Sequence, residues 1–242
     1  DSPRTLMVSA PVSALLEGLY QEDCTMDRLL AGGDFGIGTF NDLDGEMLVL
    51  DGHVWRMDDA GRARHVPDEL RTPFACVTRF RADTTEHLDA ATLGAHFPDA
   101  DLFDLVENLL PSPNMAYAVK VRGRFAPLAL RCPTRQESYT PLKQALSDQR
   151  RFDHAEAEGV CVGFAAPGFL AGVVVPGLHL HFIDDQQTFG GHVMAARPAD
   201  VTVSVMHLPR LCLGLPTTLD YLTADLGTDR TADLDAAERS RD

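Results

Sequence analysis

The chain has 242 residues, 45% of them apolar and 24% charged, the composition of a globular protein large enough to bury a substantial core. Asp and Glu number 36 against 21 Lys and Arg, a formal charge of −15, which argues against a nucleic acid or an anionic membrane surface as partner. No run approaches the roughly 18 uninterrupted apolar residues of a membrane helix, and the first residues lack the charged-then-apolar pattern of a leader. The expected location is the cytoplasm, although a leader removed before residue 1 would leave no trace. Cys24, Cys76, Cys132, Cys161 and Cys212 are odd in number, scattered and without a C-x-x-C pair. They read as reduced, mostly buried residues, not as a disulfide framework or a thiolate zinc site.

In chain order, residues 9–20 form a short strand or helix packed by Val12, Leu15, Leu16 and Leu19. Thr25 caps a helix through Leu29-Leu30 that Gly32-Gly33 stops. The glycines of Gly33-Asp34-Phe35-Gly36-Ile37-Gly38-Thr39-Phe40 invite a phosphate-loop reading, but no Lys-Ser/Thr follows and Asp34 would repel a phosphate. A hairpin fits better, turning at Asp44-Gly45 with Glu46 opening the return strand. Strands follow at 54–57 and 75–80, then a helix over 99–110 ended by Pro111-Ser112-Pro113. Residues 117–122 and 128–131 read as a hairpin around Gly123, and Pro141 opens a helix. Segments 159–164 and 173–175 lead into a strand that carries two histidines, 201–205 alternates as a strand, and the acidic tail turns helical near 234–238.

The stretch that carries chemistry is Pro176-Gly177-Leu178-His179-Leu180-His181-Phe182, followed by Gly190-Gly191-His192-Val193. A period of two puts His179 and His181 on one strand face and the leucines on the other. The Gly190-Gly191 pair permits a return strand that sets His192 beside them. Three neutral imidazoles converging from a rigid hairpin suit Zn²⁺ or a similar divalent ion and leave positions open for substrate.

Several ordered motifs together resemble the alpha-acetolactate decarboxylases, from about residue 15 to the C-terminus. They are residues 33–41, Leu43-Asp44-Gly45-Glu46, Thr72-Pro73-Phe74-Ala75, Gln136 and Tyr139 after Arg131, and the two histidine segments. The chain departs from the family in having Leu178 where an aromatic is usual, and Cys132-Pro133-Thr134-Arg135 after Arg131. The resemblance implies conversion of 2-acetolactate to acetoin and CO₂ by a carboxy-lyase, with zinc on His179, His181 and His192. It places working groups at Glu46, Arg131 and Glu238 and a substrate-binding threonine at Thr39, with Arg135 an alternative to Arg131. A metal would act as Lewis acid towards the electrons left by CO₂, Arg131 would bind the substrate carboxylate or stabilise the enediolate afterwards, and Glu46 or Glu238 would deliver the proton. It also implies a homodimer with a mixed α/β, sheet-dominated fold in two packed halves. The expected division is residues 1–148, with Glu46 and Arg131, and 149–242, with the histidines. The competing readings are another three-histidine metal enzyme, a hydrolase or dioxygenase, and a non-catalytic metal-binding protein.

Overall fold

The structure, a computed structural model, describes residues 4–227. Its strands are β1 (Thr5–Val8), β2 (Cys24–Thr25), β3 (Phe35–Thr39), β4 (Glu46–Leu50), β5 (His53–Met57), β6 (Ala63–His65), β7 (Arg71–Thr72), β8 (Ala75–Thr78) and β9 (Thr84–Leu88). They continue as β10 (Ala116–Cys132), β11 (Arg150–His154), β12 (Ala157–Ala166), β13 (Gly177–Asp184), β14 (Gly190–Leu208) and β15 (Arg210–Leu213). The helices are short: α1 (Val12–Leu16), α2 (Met26–Gly32), α3 (Ala90–His96), α4 (Leu102–Leu109), α5 (Leu142–Ala145) and α6 (Leu219–Thr223).

Two sheets make the two halves of this mixed, sheet-dominated α/β fold. One has seven strands in the order β15-β1-β8-β3-β4-β5-β6; the other has six, in the order β11-β10-β12-β13-β14-β9, with β10 also paired to β14. The division near residue 148 falls between α5 and β11, and strands from both sides of it share the six-stranded sheet.

Alternation explains the layers. Phe35, Ile37 and Leu48 of the seven-stranded sheet meet Val160, Val162, Phe164 and Ile183 of the other in one core. The intervening residues turn outward: Met47 and Val49 pack with Met26 and Leu29 of α2, while Leu180, Phe182 and Val193 pack with the layer holding α3 and α4. Since Ile183 faces the inter-sheet core, His179 and His181 face it too. The described residues hold no helix long and apolar enough to cross a membrane, and all five cysteines are free thiols.

Several local expectations hold. Residues 12–16 are helical with Val12, Leu15 and Leu16 buried, and α4 falls inside 99–110, capped by Asp101, whose carboxylate accepts from the Phe103 and Asp104 amides. The β3–β4 hairpin forms with Thr39 opposite Glu46, though its connection is longer than a two-residue turn and contains a 3-10 turn at Asn41–Leu43. Gly38 serves this packing: a Cβ there would lie 2.5 Å from the Phe74 carbonyl oxygen of the neighbouring chain segment.

Other expectations are corrected. Thr25 stands at the N-cap of α2, but its side chain makes no capping bond to the backbone and donates to the Asp27 carboxylate instead. Residues 117–131 are not a hairpin but lie within one 17-residue strand, β10, whose register shifts near Phe125 and Ala129. Gly123 sits inside it because a Cβ would come 2.1 Å from the Asp200 carbonyl oxygen of β14, and its φ is +149°. Close approach of strands, not a turn, requires glycine there. Residues 173–175, which lead into β13, form the end of a loop that follows a 3-10 turn at Gly168–Leu170. Helix α3 went unpredicted, for its one buried anchor is Leu93. The 234–238 helix expected in the tail lies outside the described residues.

A Gly123→Ala substitution should therefore lower unfolding stability by about 1–3 kcal/mol through overpacking and backbone strain. Urea denaturation of the two proteins checks this, and equal midpoints would remove the close-approach explanation.

Candidate metal centre between the sheets

His181 on β13 lies directly opposite His192 on β14, and His179 is two residues before His181 on the same face. The three ligand nitrogens all lie within 4.8 Å of one another. Ring centroids are 5.0 Å apart for His179 and His181, 4.8 Å for His179 and His192, and 5.5 Å for His181 and His192. His181 and His192 are buried and His179 half-buried.

The opposite sheet fixes the tautomer of the middle ring. His181 Nδ1 is 2.7 Å from the Met47 carbonyl oxygen of β4. A carbonyl only accepts, so Nδ1 carries the hydrogen and Nε2 presents its lone pair. That Nε2 faces Glu46 Oε2 at 3.4 Å. Two acceptors turned towards each other call for a proton or a cation between them. His179 Nε2 and His192 Nδ1 approach to 3.1 Å, with one position between the two nitrogens for a hydrogen or an ion. Burial first, and the Arg131 guanidinium second, lower the His179 pKa to about 3, so the ring is neutral near pH 7 with a lone pair to give. The donor set fits a divalent ion that favours nitrogen, with one ring oriented from outside by a backbone carbonyl.

The charged groups frame this cluster. Arg131 stands opposite His192 in the β10–β14 ladder, only 2% exposed. Its Nη2 lies 3.3 Å from His192 Nε2, and its Nη1 donates to Gln149 Oε1 at 2.9 Å. Arg135 is exposed and bound to Asp42 at 2.8 Å, away from the rings. Glu46 opens β4, is buried, and lines the same cavity as the three histidines and Arg131. Thr39, buried opposite it, donates from Oγ1 to the Gly45 carbonyl at 2.8 Å and so steadies the chain just before Glu46. Glu238 lies outside the described residues. The rest of the wall is apolar: Leu15 of α1, Leu43, Phe74, Leu142 of α5 and Leu146. Burial above all, with Glu46 adding to it, pushes the Cys132 thiol well above its usual range, so that neighbour of Arg131 is no nucleophile.

Sequence reasoning missed three parts of this site. The Met47 carbonyl is a backbone group and leaves no mark in the sequence. Leu15 and Leu142 looked like ordinary core residues. Gln149 lies in a polar stretch and carries no signal that separates it from its neighbours.

The model of the family described as Alpha-acetolactate decarboxylase matches residues 6–228. A relative from Methanosarcina mazei named Alpha-acetolactate decarboxylase is 39% identical over 232 residues, covering 94% of this chain and 78% of its own length. One of the same name from Bacillus subtilis is 36% identical over 231 residues, covering 95% and 89%. The crystal structure of the Bacillus subtilis alpha-acetolactate decarboxylase superimposes with a TM-score of 0.91 at 34% identity, covering 98% of this chain and all of that one. By sequence along almost its whole length and by fold, the chain belongs to the alpha-acetolactate decarboxylase family.

Proposed function

We propose that this protein is a carboxy-lyase that converts 2-acetolactate to acetoin and CO₂ at the three-histidine centre, holding one divalent ion, zinc in the first instance. The family match over residues 6–228 carries this reading, and the cluster of three imidazoles between a buried arginine and a buried glutamate supports it.

The reaction breaks the bond between the carboxylate carbon and C2 and sends its electron pair towards the neighbouring ketone, leaving an enediolate that C2 protonation converts to acetoin. A divalent ion, when bound by His179, His181 and His192, supplies Lewis-acid stabilisation of charge on substrate oxygen. Arg131 binds the substrate carboxylate by its planar fork and holds it until the bond breaks. Thr39 Oγ1 already donates to Gly45, so towards substrate it acts as an acceptor for a hydroxyl. Leu15, Phe74, Leu142 and Leu146 keep bulk water from the carbanionic carbon. Glu46, in its protonated form, delivers the proton to one face of the enediolate; Glu238 is the alternative donor. The same reading takes the protein as a cytoplasmic homodimer that forms acetoin, for which a solution mass of twice the 26.4 kDa chain is the corresponding observation.

Elemental analysis of purified protein should find close to one divalent metal per chain, with most of it lost from a His179→Ala, His181→Ala double variant. Full metal content in that variant would place the ion elsewhere.

Arg131→Ala should abolish acetoin formation while metal content and circular dichroism stay unchanged, and Arg131→Lys should restore little, since an ammonium cannot reproduce a planar fork. Loss of activity on Arg135→Ala instead would reassign the role.

Glu46→Gln keeps shape but removes the ionisable proton. Acetoin formation should fall roughly a hundredfold or more, the scale for losing a general acid, and the residual product should be less enantiopure by chiral chromatography. Wild-type rate and purity would pass the role to Glu238.

A further inference from the structure

Gln149 follows the 3-10 turn Leu146–Asp148 in an extended conformation and directly precedes β11. In the β10–β11 ladder Arg150 is opposite Cys132 and Arg151 opposite Arg131, so Gln149 sits just beyond the Cys132–Arg150 pair. Its half-buried side chain reaches the guanidinium: Oε1 accepts from Arg131 Nη1 at 2.9 Å, while Arg131 Nη2 meets His192 Nε2 at 3.3 Å. A guanidinium has only donors, so the amide oxygen must be the atom turned towards it. The Gln149 bond holds one terminal nitrogen and so helps to set the plane of the fork. A fork gives two parallel bonds to a carboxylate only when that plane is right.

We propose that Gln149 is a positioning residue, whose neutral amide holds the Arg131 guanidinium in the plane that receives the substrate carboxylate without adding a negative charge at that edge. This rests on the reading of Arg131 as the carboxylate-binding group. Glutamate at 149 would accept the same bond but place an anion 2.9 Å from the guanidinium, in competition with an anionic substrate. Leucine would fill similar volume and supply no acceptor.

The test compares metal-loaded wild type, Gln149→Leu, Gln149→Glu and Arg131→Ala in steady-state turnover of 2-acetolactate. Calorimetric binding of 2-hydroxyisobutyrate, an unreactive 2-hydroxy acid, accompanies it. Gln149→Leu should lose about tenfold or more in kcat/KM, the scale of one hydrogen bond to a charged group. Gln149→Glu should keep kcat within about threefold but raise KM, and weaken 2-hydroxyisobutyrate, by about tenfold. In an Arg131→Ala background the Gln149→Glu change should make no further difference to binding. That split between kcat and KM is what a merely structural amide would not produce. If both Gln149 variants match wild type while Arg131→Ala is inactive, the proposal fails and the role of Arg131 stands. Equal loss of kcat in both, with KM unchanged, also overturns it. Full activity in Arg131→Ala would instead remove the role of Arg131 itself. Should Gln149→Leu not fold, the near-isosteric Gln149→Glu decides between the same outcomes.

Discussion

The bond between His181 Nδ1 and the Met47 carbonyl oxygen is the joint on which the site depends. It crosses from one sheet to the other, so the direction of the His181 ring is set by how the sheets pack. Its neighbours serve the same end: Leu180 and Phe182 anchor the far face of β13 in the outer core, which leaves the histidines no choice of face. A one-residue slip of β13 would bury the imidazoles among leucines and phenylalanines and turn apolar groups into the seam. The same packing brings Glu46 and Thr39 from the seven-stranded sheet against the histidines of the six-stranded sheet. The centre therefore exists only where two continuous sheets already have the right spacing.

Charge is distributed on two scales. The chain as a whole is strongly acidic, at −15, yet the proposed substrate is an anion. Exposed carboxylates beyond a Debye length of about 8–10 Å are largely screened by salt, whereas Arg131 is buried and acts in a medium that screens far less. At the proposed binding point the local cation thus outweighs the distant acids. The same guanidinium helps to keep His179 neutral, which suits an imidazole that has to offer a lone pair.

The sequence was most legible where period and chemistry coincided. The two-residue spacing of His179 and His181, with a glycine pair before His192, specified strand, face and cluster together. The place of Glu46 could be read from Asp44-Gly45, although the connection proved longer than a tight turn. Legibility failed where a residue has two physical uses. Gly123 is as good in a turn as in a strand pressed against another backbone, and nothing local distinguishes the two. Contacts made by backbone atoms or across long sequence separations, such as Met47 with His181 or Arg131 with Gln149, have no local signature at all.

The apolar wall of the cavity comes from different elements than its charged groups. The three histidines, Arg131 and Glu46 stand on strands paired on both sides, while Leu15 and Leu142 come from α1 and α5, helices of five and four residues. Groups that must keep their mutual distances are held by ladders that cannot shift singly; groups that only give the cavity its shape sit on pieces that tolerate replacement. On the proposed reading, variation in the side chains of α1 and α5 reshapes the room for the substrate's alkyl groups while the histidines, Arg131 and Glu46 stay as they are. On that reading, accommodation of a bulkier or smaller keto acid has an open route through those two helices, and a closed one through the strands.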